Sequence, residues 1–231
     1  MSAPPVRDRR RGWRCRVAAD GRADGGMTLV ELLVAMSVFT VVLAIAMSAV
    51  VSMTRGTAVA AQLADAQQGT RTAFQRLDHQ VRYAEAVNRP GAGPSGAVYV
   101  EWRTGAVSTP TGTAQCTQWR YDPTARTLAR RSWPDVTAPT VQDWQVMVTD
   151  VLRPASAPAT YPFVVAPATE TRRRQTLTLT LLVGPGENGA RVTTSSVFAA
   201  RNSSTGSVSN ADADGNGASD LPVCLSLVGR P

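Results

Sequence analysis

The sequence predicts an α+β fold, a long N-terminal helix packed on an antiparallel β-sheet, and three observations carry that prediction. Residues from Met27 to Val51 form an apolar run with one charged residue in it, Glu31. Beyond that run Val59, Leu63, Ala66, Thr70, Ala73, Leu77, Val81, Ala84 and Val87 recur at spacings of three and four, the signature of one helix face. From Ala97 onward the pattern changes to period two, with β-branched and aromatic residues between turn clusters. A chain of 231 residues has room for one anchor and one compact domain.

The first element is the basic segment 1–26. It carries Arg7, Arg9, Arg10, Arg11, Arg14, Arg16 and Arg22 against three aspartates, and so accounts for most of the formal net charge of +7. Those arginines place this end on the cytoplasmic side and the C-terminal domain outside. No lysine occurs, and arginine fills all 24 basic positions, which reads as coding bias before function. The second element is the apolar run 27–51. As a helix it would reach about 37 Å, enough to cross a hydrocarbon core of about 30 Å with some tilt. Glu31 is the anomaly, because a carboxylate at depth in lipid costs on the order of 3 kcal/mol and is kept where it has a partner. Just before the run stands Gly25-Gly26, a Cβ-free pair whose extended backbone can enter a protease site without side-chain clash.

Gly26-Met27-Thr28-Leu29-Val30-Glu31-Leu32-Leu33 resembles the prepilin cleavage and methylation motif of type IV pilins and type II secretion pseudopilins. The resemblance implies that a membrane-embedded prepilin peptidase cuts after Gly26 and that Met27, where the family usually has Phe, becomes a methylated N-terminus. It also implies that Glu31, then the fifth residue, pairs with a terminal amine as subunits pack into a fibre. Opposite charges in apolar surroundings attract far more strongly than in water, so each relieves the desolvation of the other. The competing reading is an uncleaved signal anchor. Cleavage would remove Cys15 and leave Cys116 and Cys224, a pair able to bridge in an oxidising compartment; two unpaired thiols are the alternative.

The third element, residues 52–89, continues the helix to about Asn88. Asp78 and Arg82 are spaced as an i,i+4 pair, Gly56 and Gly69 are the expected soft points, and Pro90-Gly91 marks the end. Residues 90–231 form an extracytoplasmic β-rich domain with a flexible polar C-terminal loop. Its strands are expected at Val98 to Arg103, Gln115 to Tyr121, Thr127 to Trp133, Trp144 to Val151, Phe163 to Ala166, Thr176 to Val183 and Val192 to Arg201. Asp122-Pro123-Thr124 and the Gly184 to Gly189 stretch supply hairpin turns. Leu177, Leu179 and Leu181 alternate with threonines, which places three leucines on the face that covers the helix. A helix across an antiparallel sheet is also the pilin fold. The last third resembles the W-type minor pilins and J-type pseudopilins.

Three further features bear on function. Arg172, Arg173 and Arg174, with tryptophans elsewhere in the domain, are candidates for nucleic-acid contact; the bland reading is a solvated loop with the tryptophans in the core. His79 is the sole histidine and has no Cys or Ser constellation beside it in the sequence, so no enzyme site is expected. Asp212, Asp214, Asn216 and Asp220 fit the opening of a calcium loop with Gly215 and Gly217 at the turn. The twelfth position is Val223 instead of Glu, which leaves a partial calcium site or a plain Asp/Asn/Gly turn. The resemblance implies a minor pilin or pseudopilin, a single-pass inner-membrane protein destined for a fibre or the cell surface. Its implied partners are the lipid bilayer, a prepilin peptidase, an inner-membrane assembly platform and other pilin-like subunits. The alternatives are a DNA- or substrate-binding tip subunit of an uptake (competence) apparatus, and an anchored binding domain that does not polymerise.

Overall fold

The computed structural model describes residues 26–186, 190–226 and 228–231. The arginines of the basic segment 1–26, Cys15 and the part of the predicted turn at 187–189 lie outside the described residues. The chain divides into two compact units that meet in sequence at Val51 and Ser52. One helix, α1 (Leu29–Arg82), supplies the first unit and opens the second. In the first unit its apolar side chains are exposed throughout, from Leu29 (75%) to Val51 (48%).

In the second unit α1 buries Thr70, Ala73, Leu77 and Val81, the later part of the stripe expected from spacing, whereas Val59 at its start is exposed and Leu63 half-buried. They pack on two antiparallel sheets. The first contains β1 (Ala84–Val87), β2 (Gly91–Ala92), β3 (Val98–Thr104), β4 (Gln115–Asp122), β5 (Thr127–Pro134) and β6 (Gln145–Val148), in the order β1-β3-β4-β5-β6 with β2 also on β3. The second contains β7 (Val151–Leu152), β8 (Phe163–Ala166), β9 (Thr176–Val183) and β10 (Val192–Ala199), in the order β10-β9-β7 with β8 also on β9. The fold is thus α+β with an antiparallel β-region. One core joins the helix stripe to Trp102, Trp119 and Tyr121 of the first sheet and to Leu177, Leu179 and Leu181 of the second. The three leucines alternate with half-buried neighbours along β9 as period two requires.

Two expectations about elements are corrected. The helix ends at Arg82 instead of near Asn88, and Ala84–Val87 pairs with β3 as a strand. The cause is tertiary: the Arg201 amide donates to the Arg82 carbonyl at 3.0 Å and the Asn202 side chain to the Tyr83 carbonyl at 3.2 Å. These partners satisfy carbonyls that a continued helix would have used. The run Trp144 to Val151 is two strands in different sheets. Asp150 breaks it with φ of 57°, held by Arg126 Nη2 at 3.1 Å, and this left-handed residue carries the chain from one sheet to the other. The Asp122 turn forms as expected, its Oδ1 accepting the amides of Thr124 and Ala125, each at 2.9 Å.

Gly69 is a packing position and not a soft point. A Cβ there would lie 3.1 Å from the Met147 carbonyl oxygen, so its absence lets α1 lie against β6. Gly56 has no such neighbour within 4 Å.

Candidate functional site

At the N-terminal end of the described chain Gly26 is exposed, and nothing lies within 4 Å of where a Cβ would project. Two residues on, Thr28 starts α1. Its Oγ1 accepts the Glu31 amide at 3.3 Å and its carbonyl accepts the Leu32 amide at 3.2 Å. Thr28 is therefore the N-cap and Glu31 the third helical residue, the spacing of a capping box. A carboxylate in the first turn also faces the positive end of the helix dipole. The sequence signal for this cap, Thr-x-x-Glu, is visible inside the motif, but spacing read for processing alone does not use it.

From Leu29 the helix presents one apolar side chain after another to the outside, and none of its most apolar window is buried in the protein. Exposed apolar surface on this scale requires lipid or other subunits around it. Residues 21–47 match the family model described as the prokaryotic N-terminal methylation motif. The chain carries a prepilin-type N-terminal motif. That match covers Gly26, Met27 and Glu31, and with the apolar helix it makes the chain a membrane-anchored protein with the processing signal of pilin-type subunits. No curated protein and no solved structure matches the chain.

In the β-rich domain, Cys116 and Cys224 are joined by a disulfide with Cα atoms 6.3 Å apart. With Ala86, Trp133 and Val223 they form a small second core. Asp135 reinforces this attachment. Its buried carboxylate accepts the Leu225 amide at 2.7 Å and Arg103 Nε at 2.7 Å. That hydrogen bond raises the Arg103 pKa further above its already high ordinary value. Arg230 then pairs with Glu101 at 2.9 Å, and the Gly229 carbonyl accepts from Gln118 at 3.0 Å. Between this segment and the sheet lies a cavity of about 560 Å³, lined in part by Arg89, Glu101, Gln118 and Arg230.

Residues 202–210, expected from composition to be flexible, are stitched to the sheets by Gln175. Its side chain is fully buried. Its Oε1 accepts the Val87 amide at 2.8 Å, and its Nε2 donates to Ser209 Oγ at 2.9 Å and Asn210 Oδ1 at 2.8 Å. A buried amide with partners on both ends fixes the segments that supply them. Gln175 has no local signature, since its partners come from positions far away in sequence.

The acidic loop is only partly assembled. Carboxylate oxygens of Asp212, Asp214 and Asp220 lie within 4.8 Å of one another. Asp212 Oδ2 pairs with Arg89 at 2.7 Å, whereas its Oδ1 is buried without a hydrogen-bond partner. Asn216 is turned the other way, its Nδ2 donating to Asp214 at 2.6 Å and its Oδ1 accepting the Ala218 amide at 2.7 Å. Gly215 and Gly217 take the left-handed backbone, with φ of 68° and 80°. The three consecutive arginines are exposed. Arg172 donates to the Pro167 carbonyl at 3.2 Å and Arg174 to the Ser203 carbonyl, so both brace loop backbone. Trp102, Trp119 and Trp133 are buried, and Trp144 is flanked by Arg120 and Arg131 at 4.5 and 4.4 Å. His79 is exposed on α1, its ring 5.5 Å from that of Tyr83.

Proposed function

We propose that the chain is a minor pilin or pseudopilin, a structural subunit of a type IV pilus-like or type II secretion fibre. It is processed after Gly26 and assembles through its N-terminal helix. The observation that carries this reading is the prepilin-type motif at residues 21–47, with Glu31 set in the first turn of an otherwise apolar, exposed helix. Prepilin peptidase and inner-membrane assembly proteins follow as partners. Mass spectrometry of the membrane form is expected to find Met27 as the N-terminus, and Gly26→Glu to abolish processing. Glu31→Ala and Glu31→Gln separate the two jobs of the carboxylate. Gln keeps the capping-box geometry and removes the charge, so loss of fibre incorporation in both variants, with insertion intact, assigns the role to charge. An N-terminus upstream of Gly26 overturns the reading and favours an anchored domain that does not polymerise. Retention on DNA that falls with salt and with Arg173→Ala favours a DNA-binding tip subunit instead.

A second reading concerns calcium at Asp212, Asp214 and Asp220. Three carboxylates within reach of one ion, one with a buried oxygen that accepts no hydrogen bond, suit a hard cation. Arg89 already neutralises part of that charge, and Asn216 is excluded from the set unless its amide turns. An ion bound only to the folded state raises its melting temperature by mass action. The expected result is a higher midpoint with calcium than with chelator, lost in Asp212→Asn. A midpoint that ignores calcium removes the site.

A further inference from the structure

β10 ends the second sheet, and one of its edges is free of any strand among the described residues. Its pairing with β9 is regular over all eight residues, Val192↔Val183 to Ala199↔Thr176, with no bulge. The Ala200 amide donates to the Gln175 carbonyl at 3.0 Å, which sets the antiparallel alternation. Residues 192, 194, 196 and 198 bond to β9, and the backbone groups of Thr193, Ser195, Val197 and Ala199 point to the free edge. Exposed edges in soluble domains are normally guarded by lysine, proline, an inward charge or a bulge, because a bare row of N–H and C=O groups recruits other strands. Val192–Ala199 contains none of these guards and leaves Val197 63% exposed. An edge of this kind is built to be covered.

What covers it is constrained by two neighbours of the strand. On the side of Val192 and Thr194 a groove of about 430 Å³ is open, lined by Leu63, Arg71, Phe74 and Val183 among others. The strand itself is uncharged and framed by the exposed Arg191 and Arg201. Two copies of this chain paired edge to edge about a two-fold axis would set Arg191 of each beside Arg201 of the other. Like charges across a strand pair are destabilising. We infer that the free edge of β10 accepts an extended segment of a different protein chain, uncharged in its middle, acidic at its ends, with an apolar side chain for the groove. Main-chain hydrogen bonds would supply affinity, and the groove and the arginines specificity. Thr193, Ser195, Val197 and Ala199 provide the hydrogen-bonding row, while Arg71, Arg191 and Arg201 read the charge.

The test uses the purified full chain in detergent micelles and two short labelled peptides of alternating Thr and Val, one with Glu and one with Lys at each end. The Glu-ended peptide is expected to bind and to slow amide exchange at Thr193, Ser195, Val197 and Ala199 about tenfold. Val197→Lys, at an exposed position, is expected to weaken it roughly tenfold by guarding the edge while the melting temperature stays unchanged. Arg191→Glu with Arg201→Glu should reverse the preference between the two peptides. Unchanged exchange along β10, or equal binding of both peptides, overturns the inference. Self-association of the chain that Val197→Lys abolishes overturns it too, since a second copy would then be the occupant. These readouts concern β10 alone, so their failure leaves the processing at Gly26 and the role of Glu31 standing.

Discussion

Single side chains with partners at both ends carry much of the order in the β-rich domain, and Gln175 shows how. Gln175→Ala would leave the Val87 amide and the Ser209 hydroxyl without their partner inside the protein. Each orphaned buried group costs about 1–3 kcal/mol, so a loss of roughly 2–4 kcal/mol is expected. Thermal melting checks the magnitude, and limited proteolysis within 203–210 checks the location. Gln175→Glu is nearly isosteric but lacks the two donors, and it should restore little of the loss. The prepilin-type motif was legible at this scale because Gly26, Met27 and Glu31 lie together in sequence, inside the matched residues 21–47. Gln175 and Asp135 were not. Their meaning comes from chain segments 35 and 90 residues away that the fold brings to them.

At the scale of elements, periodicity located the apolar helix and six of the seven predicted strand regions nearly to their ends, and it missed where tertiary contacts override local pattern. The spacing that continues through Ala84 and Val87 is real, but both residues are buried in a strand, which a stripe of apolar residues cannot distinguish from a helix face. The two helix glycines also look alike in sequence and differ in surroundings. Gly56→Ala meets nothing and should gain part of the roughly 1 kcal/mol of helix propensity that Ala has over Gly. Gly69→Ala would gain the same term, yet its Cβ would press on the Met147 carbonyl oxygen at 3.1 Å. Backbone in a paired strand gives way poorly, so this variant is expected to lower the melting temperature. Opposite signs for the two substitutions, measured by melting of the full chain, are the diagnostic result.

For the whole molecule, the α+β class and the anchor were readable because they rest on patterns tens of residues long. The division into two sheets was not, since it turns on Asp150 alone, a left-handed residue inside what otherwise reads as one strand. The disulfide adds a property of another kind. It joins residues 108 apart, and that span contains both β9 and β10. In the proposed role, a subunit held in a fibre by its helix would bear external load through its β-rich domain. The bridge takes the enclosed residues out of the load path, a length of roughly 370 Å of fully extended chain. A pull applied between α1 and the last residues therefore cannot lengthen the chain through β9 or β10 while the covalent link holds. Among the strands, only those in the stretch from Arg82 to Cys116, β1, β2 and β3, can then pay out, so the domain would act as a tether with a built-in stop whose limit is set by sulfur chemistry.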